Sequence, residues 1–338
     1  MRSRLLVIGL CAIVASAGAA PAAEPMRIVV TVPGPGAASY FPIDIIPRLG
    51  TDREEGVSLQ VNHVPGGGVA IEELVSNNAD FAVVGLPAAM SARLKDRRII
   101  ALAAVNDLPL YVLLVREALR GKVKSPADLK GRTVGVHSNS LASKTNSHQL
   151  LELVLRQNGV SPDDIRVVTV GQRWQSEVSM LKTGAADAVM GDEPHASRMI
   201  AGKVAYSLMH LGEPGVADKL PGGGFLRGAL IGRSDRLEQD PARAEAMVRV
   251  IRRTLQWFAA HTPEEIVARA GIEDPDERRH FLATLKRFPR QYSRDARFST
   301  RQLKETEVFF HTSQAANPAA RALAIESMIV DRFAGRKE

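Results

Sequence analysis

Four short turns stand where apolar runs end, and they hold most of the residues in this chain that could do chemistry. The first is 33–39, with Gly34, Gly36 and Ser39 just ahead of Tyr40. The second is 65–68, with Gly66 and Gly67; the third is 85–87, with Gly85 and Pro87. The fourth is 137–143, with Ser138, Asn139, Ser140 and Ser143. Glycine lets a backbone approach a ligand closely, and hydroxyl and amide side chains add short donors. A helix that starts just after such a turn offers unpaired N–H groups and a partial positive charge, which hold an anion without a formal cation. This is the chemistry of recognition rather than of bond breaking. Two clusters lie outside the turns. Arg173-Trp174 offers either surface packing or a stacking and anion-pairing contact at a cleft mouth. Asp192-Glu193, with His195 close by, reads as a hydrogen-bond acceptor or a polar rim; no metal is expected, because nothing like H-E-x-x-H is present.

Other chemistries are excluded by what is missing. No nucleophile-elbow G-x-S-x-G occurs, and no catalytic residue is assigned. Gly34-x-Gly36-x-x-Ser39 lacks the last glycine of a dinucleotide fingerprint and carries Pro35 inside it, so no cofactor is expected. Cys11 is the single cysteine. It lies in an apolar run, 5–20, that follows Arg2 and Arg4 and precedes Ala20-Pro21-Ala22. That is the pattern of a cleaved secretory leader, assigned to residues 1–23. Leu10 is too large for a usual lipoprotein cleavage site. The mature chain is then expected outside the cytoplasm with no thiol, hence no disulfide, thiolate metal site or thiol nucleophile.

The rest of the chain must position the turns. At 338 residues, with 45% hydrophobic and 24% charged, it is long enough for two separate cores. The formal charge of +7 is scattered, aromatics are few, and nucleic acid is not an expected partner. Short continuous apolar runs at 27–32, 59–64, 81–84, 99–105, 110–115, 133–136, 165–170, 186–190, 204–209 and 226–232 read as strands buried on both faces. Between them lie helical stretches at about 40–49, 70–77, 87–95, 140–158 and 175–183. Gly159 is placed to end the fourth in a left-handed conformation. Asp240-Pro241 caps a helix whose apolar stripe runs Ala244, Met247, Val248, Ile251, Leu255, Phe258. From Pro263 onward the chain reads as short helices. Alternation of this kind predicts an α/β fold with parallel sheets.

Two stretches carry a family resemblance. Ser125-Pro-Ala-Asp-Leu-Lys-Gly-Arg-Thr-Val-Gly-Val136 and Leu181-Lys-Thr-Gly-Ala-Ala-Asp-Ala-Val-Met-Gly-Asp-Glu-Pro194 resemble the second lobe of extracytoplasmic solute-binding proteins of ABC importers, in the nitrate/sulfonate/taurine branch. The resemblance implies a two-lobed periplasmic-binding-protein fold with two crossings, each lobe a mainly parallel sheet flanked by helices. Lobe one would be 24–107 and 228–338, and lobe two 108–227. It implies a periplasmic monomer that takes a small solute, an organic or inorganic anion, into the interlobe cleft. Its partners would be a membrane permease and the ATPase that drives it. Relatives often carry an aromatic beside Glu-Pro where this chain has Gly191-Asp192, so the family's contact at that spot does not carry over. An enzyme on the same fold, akin to the pyrimidine synthase of thiamine biosynthesis, and a secreted ligand sensor are the alternatives. The enzyme type relies on a cysteine-rich segment that this chain lacks.

Overall fold

Continuous runs of Val, Ile, Leu and Ala, with little polar alternation, suit strands covered on both faces. The computed structural model describes residues 24–141 and 143–338; the expected leader, with Cys11, lies outside them. The first four strands are β1 (Met26–Pro33), β2 (Val57–Val64), β3 (Phe81–Val84) and β4 (Ile99–Asn106). Next come β5 (Tyr111–Arg116), β6 (Thr133–His137), β7 (Arg166–Val170), β8 (Ala188–Asp192) and β9 (Ala205–His210). The last of this set is β10 (Gly228–Arg233). One sheet has the order β2-β1-β3-β10-β4, the other β7-β6-β8-β5-β9. β1 runs parallel to β2 and β3, and β6 parallel to β7 and β8. β10 and β5, the strands the chain enters after crossing, run antiparallel to their neighbours. The crossings are 107–110 and 211–227. This is the two-lobed periplasmic-binding-protein architecture.

Each sheet is sandwiched. On the first, Met247, Val248, Ile251 and Leu255 of the helix Pro241–Ala260 cover Ile28, Val30, Phe81 and Leu230. Ile71, Leu74, Leu86 and Met90 cover the opposite face with Leu303 and Phe310. On the second sheet, Leu150, Leu151 and Val154 pack on Leu113, Val134 and Val136, while Leu181 and Met199 pack on Leu114 and Val189. Each such side chain contributes about 1.5–3 kcal/mol when fully buried. The helix Thr300–Ser313 touches both cores: Phe310 joins the first, and Phe309 stacks on Phe225 in the second with ring centroids 4.2 Å apart.

Two helices differ from the sequence reading. The stretch expected at 40–49 is broken into Phe41–Asp44, Ile46–Leu49 and Thr51–Glu54. Pro42 and Pro47 each sit in the first turn of a new piece, where proline is tolerated, and neither can continue the helix before it. The helix expected from about 140 begins at Asn146 and runs to Gln157. Side chains compete with the helix over the missing turn. Asn139 Oδ1 accepts from Thr145 N–H at 2.8 Å, Ser140 N–H donates to Ser143 O at 3.0 Å, and Thr145 Oγ1 donates to His137 O at 3.1 Å. The far end is as expected. Gly159 adopts φ 72°, its N–H reaches Arg156 O, and Val160 N–H reaches Leu155 O at 2.9 Å, the paired closure of a left-handed C-cap.

Candidate functional site

Ligands in open α/β sheets bind beyond the carboxyl ends of the strands, and both sheets turn those ends toward one another. The loops after β1, β2 and β3 meet the loops after β6, β7 and β8. Gly34, Gly66 and Gly68 are where this approach is closest. A Cβ on Gly34 would lie 1.8 Å from Gln172 O, one on Gly66 2.5 Å from Ser138 O, and one on Gly68 2.5 Å from Ser140 N. Backbone bonds cross the gap: Gln172 N–H donates to Pro65 O at 2.9 Å and Ala38 N–H to Glu193 O at 3.2 Å. The lobes are therefore shut on each other.

Between them remains a water-sized cavity of about 10 Å³, lined by Tyr40, Gly67, Gly85, Ala88, Tyr111, His137, Thr145, Asn146, Gln172 and Arg227. Five of these are helix-start residues. Gly67 and Asn146 open their helices, Gly85 and Thr145 are N-caps, and Ala88 lies in the first turn of Leu86–Arg93. None of the three N-cap residues, at positions 66, 85 and 145, caps its helix with its side chain. Helices of the C-terminal segment do have such caps, from Asp240, Thr262, Asp274, Ser299 and Asn317. At the cavity the substitute found among the described residues crosses the cleft: Asn146 Oδ1 accepts from Ala88 N–H at 2.9 Å. A larger cavity beside Asp80, Arg233 and Arg243 lies at the amino end of β3. Arg233 and Arg243 are already paired with Asp235, Asp240 and Asp80, and Arg236 donates to Asn77 and Gln239, so its cations are already engaged.

Arg227, at the end of the second crossing, forms one wall. It is 1% exposed. One terminal nitrogen donates to the Tyr40 hydroxyl at 2.7 Å and the other to Asp192 Oδ2 at 3.1 Å. Its guanidinium lies 4.5 Å from the Tyr111 ring centroid and 5.1 Å from that of Tyr40. Burial works against its charge, but the surrounding Tyr111, Tyr40 and Asp192 outweigh this and raise its pKa. Burial likewise raises both tyrosines, so they stay protonated donors. Asp192 Oδ2 also accepts from Gln172 at 2.9 Å and Ser39 at 3.3 Å. Tyr40 and Ser39 come from the first lobe and Gln172 and Asp192 from the second, so this network ties the two together.

Behind it lies a second charged cluster. Glu177 Oε1 is 3.2 Å from His137 Nε2, and Oε2 is 3.3 Å from His195 Nδ1. Burial opposes ionisation of Glu177, but the two imidazoles overcome it and hold the carboxyl at about 2. Burial also opposes the charge on His195, and Glu177 overcomes it, raising that imidazole. At the rim, Arg198 pairs with Asp274 and, at 2.7 Å, with Asp276, at the start of the helix Pro275–Arg287, and stacks over Trp174 at 4.3 Å. This is an ion-pair clasp between the lobes.

A family profile described as NMT1/THI5 like matches residues 53–266, well over half the chain. The chain belongs to the NMT1/THI5-like family. Among curated proteins, none matches it by sequence. Among solved structures, a protein from Bordetella bronchiseptica RB50 superposes with a TM-score of 0.81 at 20% identity, covering 92% of this chain and 96% of that one. The alkanesulfonate-binding protein SsuA from Xanthomonas axonopodis pv. citri, bound to MOPS, gives 0.71 at 15% identity over 94% and 100%. The nitrate-binding protein NrtA from Synechocystis PCC 6803 gives 0.59 at 17% identity over 75% and 69%. The likeness is one of fold.

In this NMT1/THI5-like chain the residues singled out by sequence fall into three places. Tyr40, Gly67 and Gly85 line the cavity. Most others join the lobes around it. Gly34 and Gly66 meet the opposite backbone, and Gly36 lies beside Glu277 and His195. Pro87 O accepts from Gln149 at 3.1 Å, and Ser143 Oγ donates to Ala88 O at 2.6 Å. Ser138, Asn139 and Ser140 shape their own loop: Ser138 Oγ donates to Val170 O at 3.4 Å and Ser140 Oγ accepts from Ser143 N–H at 3.2 Å. Asp192 is fully buried, an acceptor and not a rim residue. Glu193 pairs with His210 at 3.0 Å and Ser197 at 2.8 Å. Arg173 is exposed, and Trp174 belongs to the clasp. Arg227, Tyr111, Gln172, Asn146 and Glu177 were not among the candidates. A signal for Arg227 existed: it is the one charge inside the run read as a buried strand at 226–232, and a charge so placed must be paired.

Proposed function

We propose that this protein is the solute-binding component of an importer, which captures a small anion between its lobes and delivers it to a membrane permease driven by an ATPase. The observation that carries the reading is the convergence of three helix starts, none capped by its own N-cap side chain, on one cavity walled by Arg227. Those helix ends favour negative charge. Arg227 adds a fixed fork of donors with one nitrogen, Nε, still without a partner. Asp192 neutralises the guanidinium in the shut form, because a bare buried charge is costly. At about 10 Å³ the shut cleft has room for roughly one water molecule, so the lobes must part to admit a solute. A nitrate, a short sulfonate such as taurine, or a small carboxylate is the class proposed. The neighbours described as sulfonate- and nitrate-binding proteins support the same class. No helix among the described residues is long and apolar enough to cross a membrane. The carrier would work in the periplasm as a monomer. Lobe one would comprise 24–107 and 228–338, and lobe two 108–227.

A thermal-shift panel tests this. Nitrate, taurine, alkanesulfonates and small carboxylates are compared with uncharged and cationic analogues. At least one anion should raise the melting temperature, by roughly 2.7 kcal/mol of stability at 100 times its Kd. Stabilisation by neutral or cationic solutes alone would defeat the anion reading. Turnover of the solute would favour an enzyme instead.

A further inference from the structure

Two buried carboxylates each leave one oxygen bare. Asp192 turns Oδ2 to Arg227, Gln172 and Ser39, while Oδ1 has no hydrogen-bond partner. Glu177 gives Oε1 to His137 Nε2 at 3.2 Å, while Oε2 makes no hydrogen bond. His195 Nδ1 lies 3.3 Å from that Oε2 but out of line to donate to it, and is itself unpartnered. All four side chains are at most 4% exposed. One ligand-capable atom from each of His137, Glu177 and Asp192 lies within 4.8 Å of the other two. They arrive from the end of β6, the helix Trp174–Thr183 and the end of β8, all in the second sheet's layer, so closure of the lobes is not needed to assemble them.

We propose that His137, Glu177 and Asp192 form a binding site for a divalent transition-metal ion, zinc being the best match, with His195 beside them as a further nitrogen. One imidazole and two carboxylates suit zinc and its neighbours, whereas magnesium and calcium prefer oxygen alone. Zinc bonds of about 2.0–2.1 Å bring tetrahedral ligand atoms to roughly 3.3–3.5 Å from one another. His137 Nε2 and Glu177 Oε1 already stand 3.2 Å apart, and Asp192 must draw in. The ion's charge offsets the two carboxylates, and Asp192 Oδ1 gains the partner it lacks. Outer support is built: Arg227 and Gln172 hold the far oxygen of Asp192, as second-layer partners do in metal sites. His137 also lines the solute cavity, so a bound ion would sit directly behind it. The site stands whether or not the solute is an anion.

The test is calorimetric titration of the chelator-stripped protein with zinc. One ion per chain is expected, with affinity falling as pH drops below the imidazole range, because the ligand must be deprotonated. Glu177→Gln and His137→Gln should each weaken binding at least tenfold, and His63→Gln, on the surface, should not. If Glu177→Gln fails to fold, His137→Gln and the visible spectrum of the cobalt-loaded parent decide. Strong tetrahedral-type absorption is expected there. No binding by the parent, unchanged affinity in His137→Gln, or a weak octahedral-type cobalt spectrum would each overturn the site.

Discussion

At the scale of single residues, Arg227 and Asp192 define one another. Arg227→Ala would leave Asp192 a buried charge without a counterion, and should destabilise the fold by about 3–5 kcal/mol. Replacing both, as Arg227→Met with Asp192→Leu, removes the unpaired charge and should restore most of that stability in a denaturant melt. Anion binding should remain lost in the double variant. A double variant that still bound the anion would remove Arg227 from the account. The cluster around Glu177 makes a separate prediction about pH. Glu177 is held at about 2, below its ordinary 4.5, so its contribution is present above about pH 4.5 and fades as pH falls toward 2. His195 is raised above its ordinary 6.5, so its contribution is complete below that value and is lost as pH rises through the raised one. This pair should thus stabilise most between about pH 4.5 and 6.5. Melts of Glu177→Gln against the parent across pH should show the difference peaking in that window. A flat difference would contradict the cluster's assignment.

At the scale of elements, the glycines matter through what they let approach. Gly68 lies within the helix Gly67–Val75, where alanine is favoured by roughly 1 kcal/mol. Yet a Cβ there would meet Ser140 N at 2.5 Å and Asn139 C at 2.7 Å across the gap. With solute present, Gly68→Ala should expand the solution scattering profile and weaken anion binding at least tenfold, while leaving its own lobe at least as stable as before. Unchanged scattering and affinity would mean the lobes do not close as described. The strands were legible because burial on both faces leaves a plain signature, a short unbroken apolar run. The start of the helix Asn146–Gln157 was not. Ser140, Ser143 and Thr145 look like caps in sequence, but their side chains serve the loop or the opposite lobe. Glu177 was hidden for a related reason. On a helix it resembles any solvated carboxylate, and only the tertiary arrival of His137 and His195 makes it a buried hub. Arg173, a cation after a strand end, is exposed beside the cavity-lining Gln172.

At the scale of the whole molecule, two sandwiched sheets are joined by two crossings and by the helix Thr300–Ser313, whose Phe309 packs into the second core. Around the cleft itself the contacts between the lobes are polar. What closes them is the Arg227–Asp192 network, the backbone bonds at Gln172 and Ala38, and the Arg198 clasp. Such contacts are individually modest, so a solute that touches both lobes can shift the balance between open and shut by its differential affinity alone. The most direct measurement is the distance between the lobes. Cys11 is the only cysteine and lies in the expected leader, so the mature chain, or Cys11→Ser where the leader is retained, gives a background for spin labels at Glu72→Cys, on the first lobe, and Gln157→Cys, on the second; both positions are exposed. Pulsed-resonance distances would be recorded without solute and with a saturating anion from the thermal-shift panel. The account predicts a broad or longer distribution without solute and a single shorter one with it. The same distribution in both conditions would contradict capture by closure.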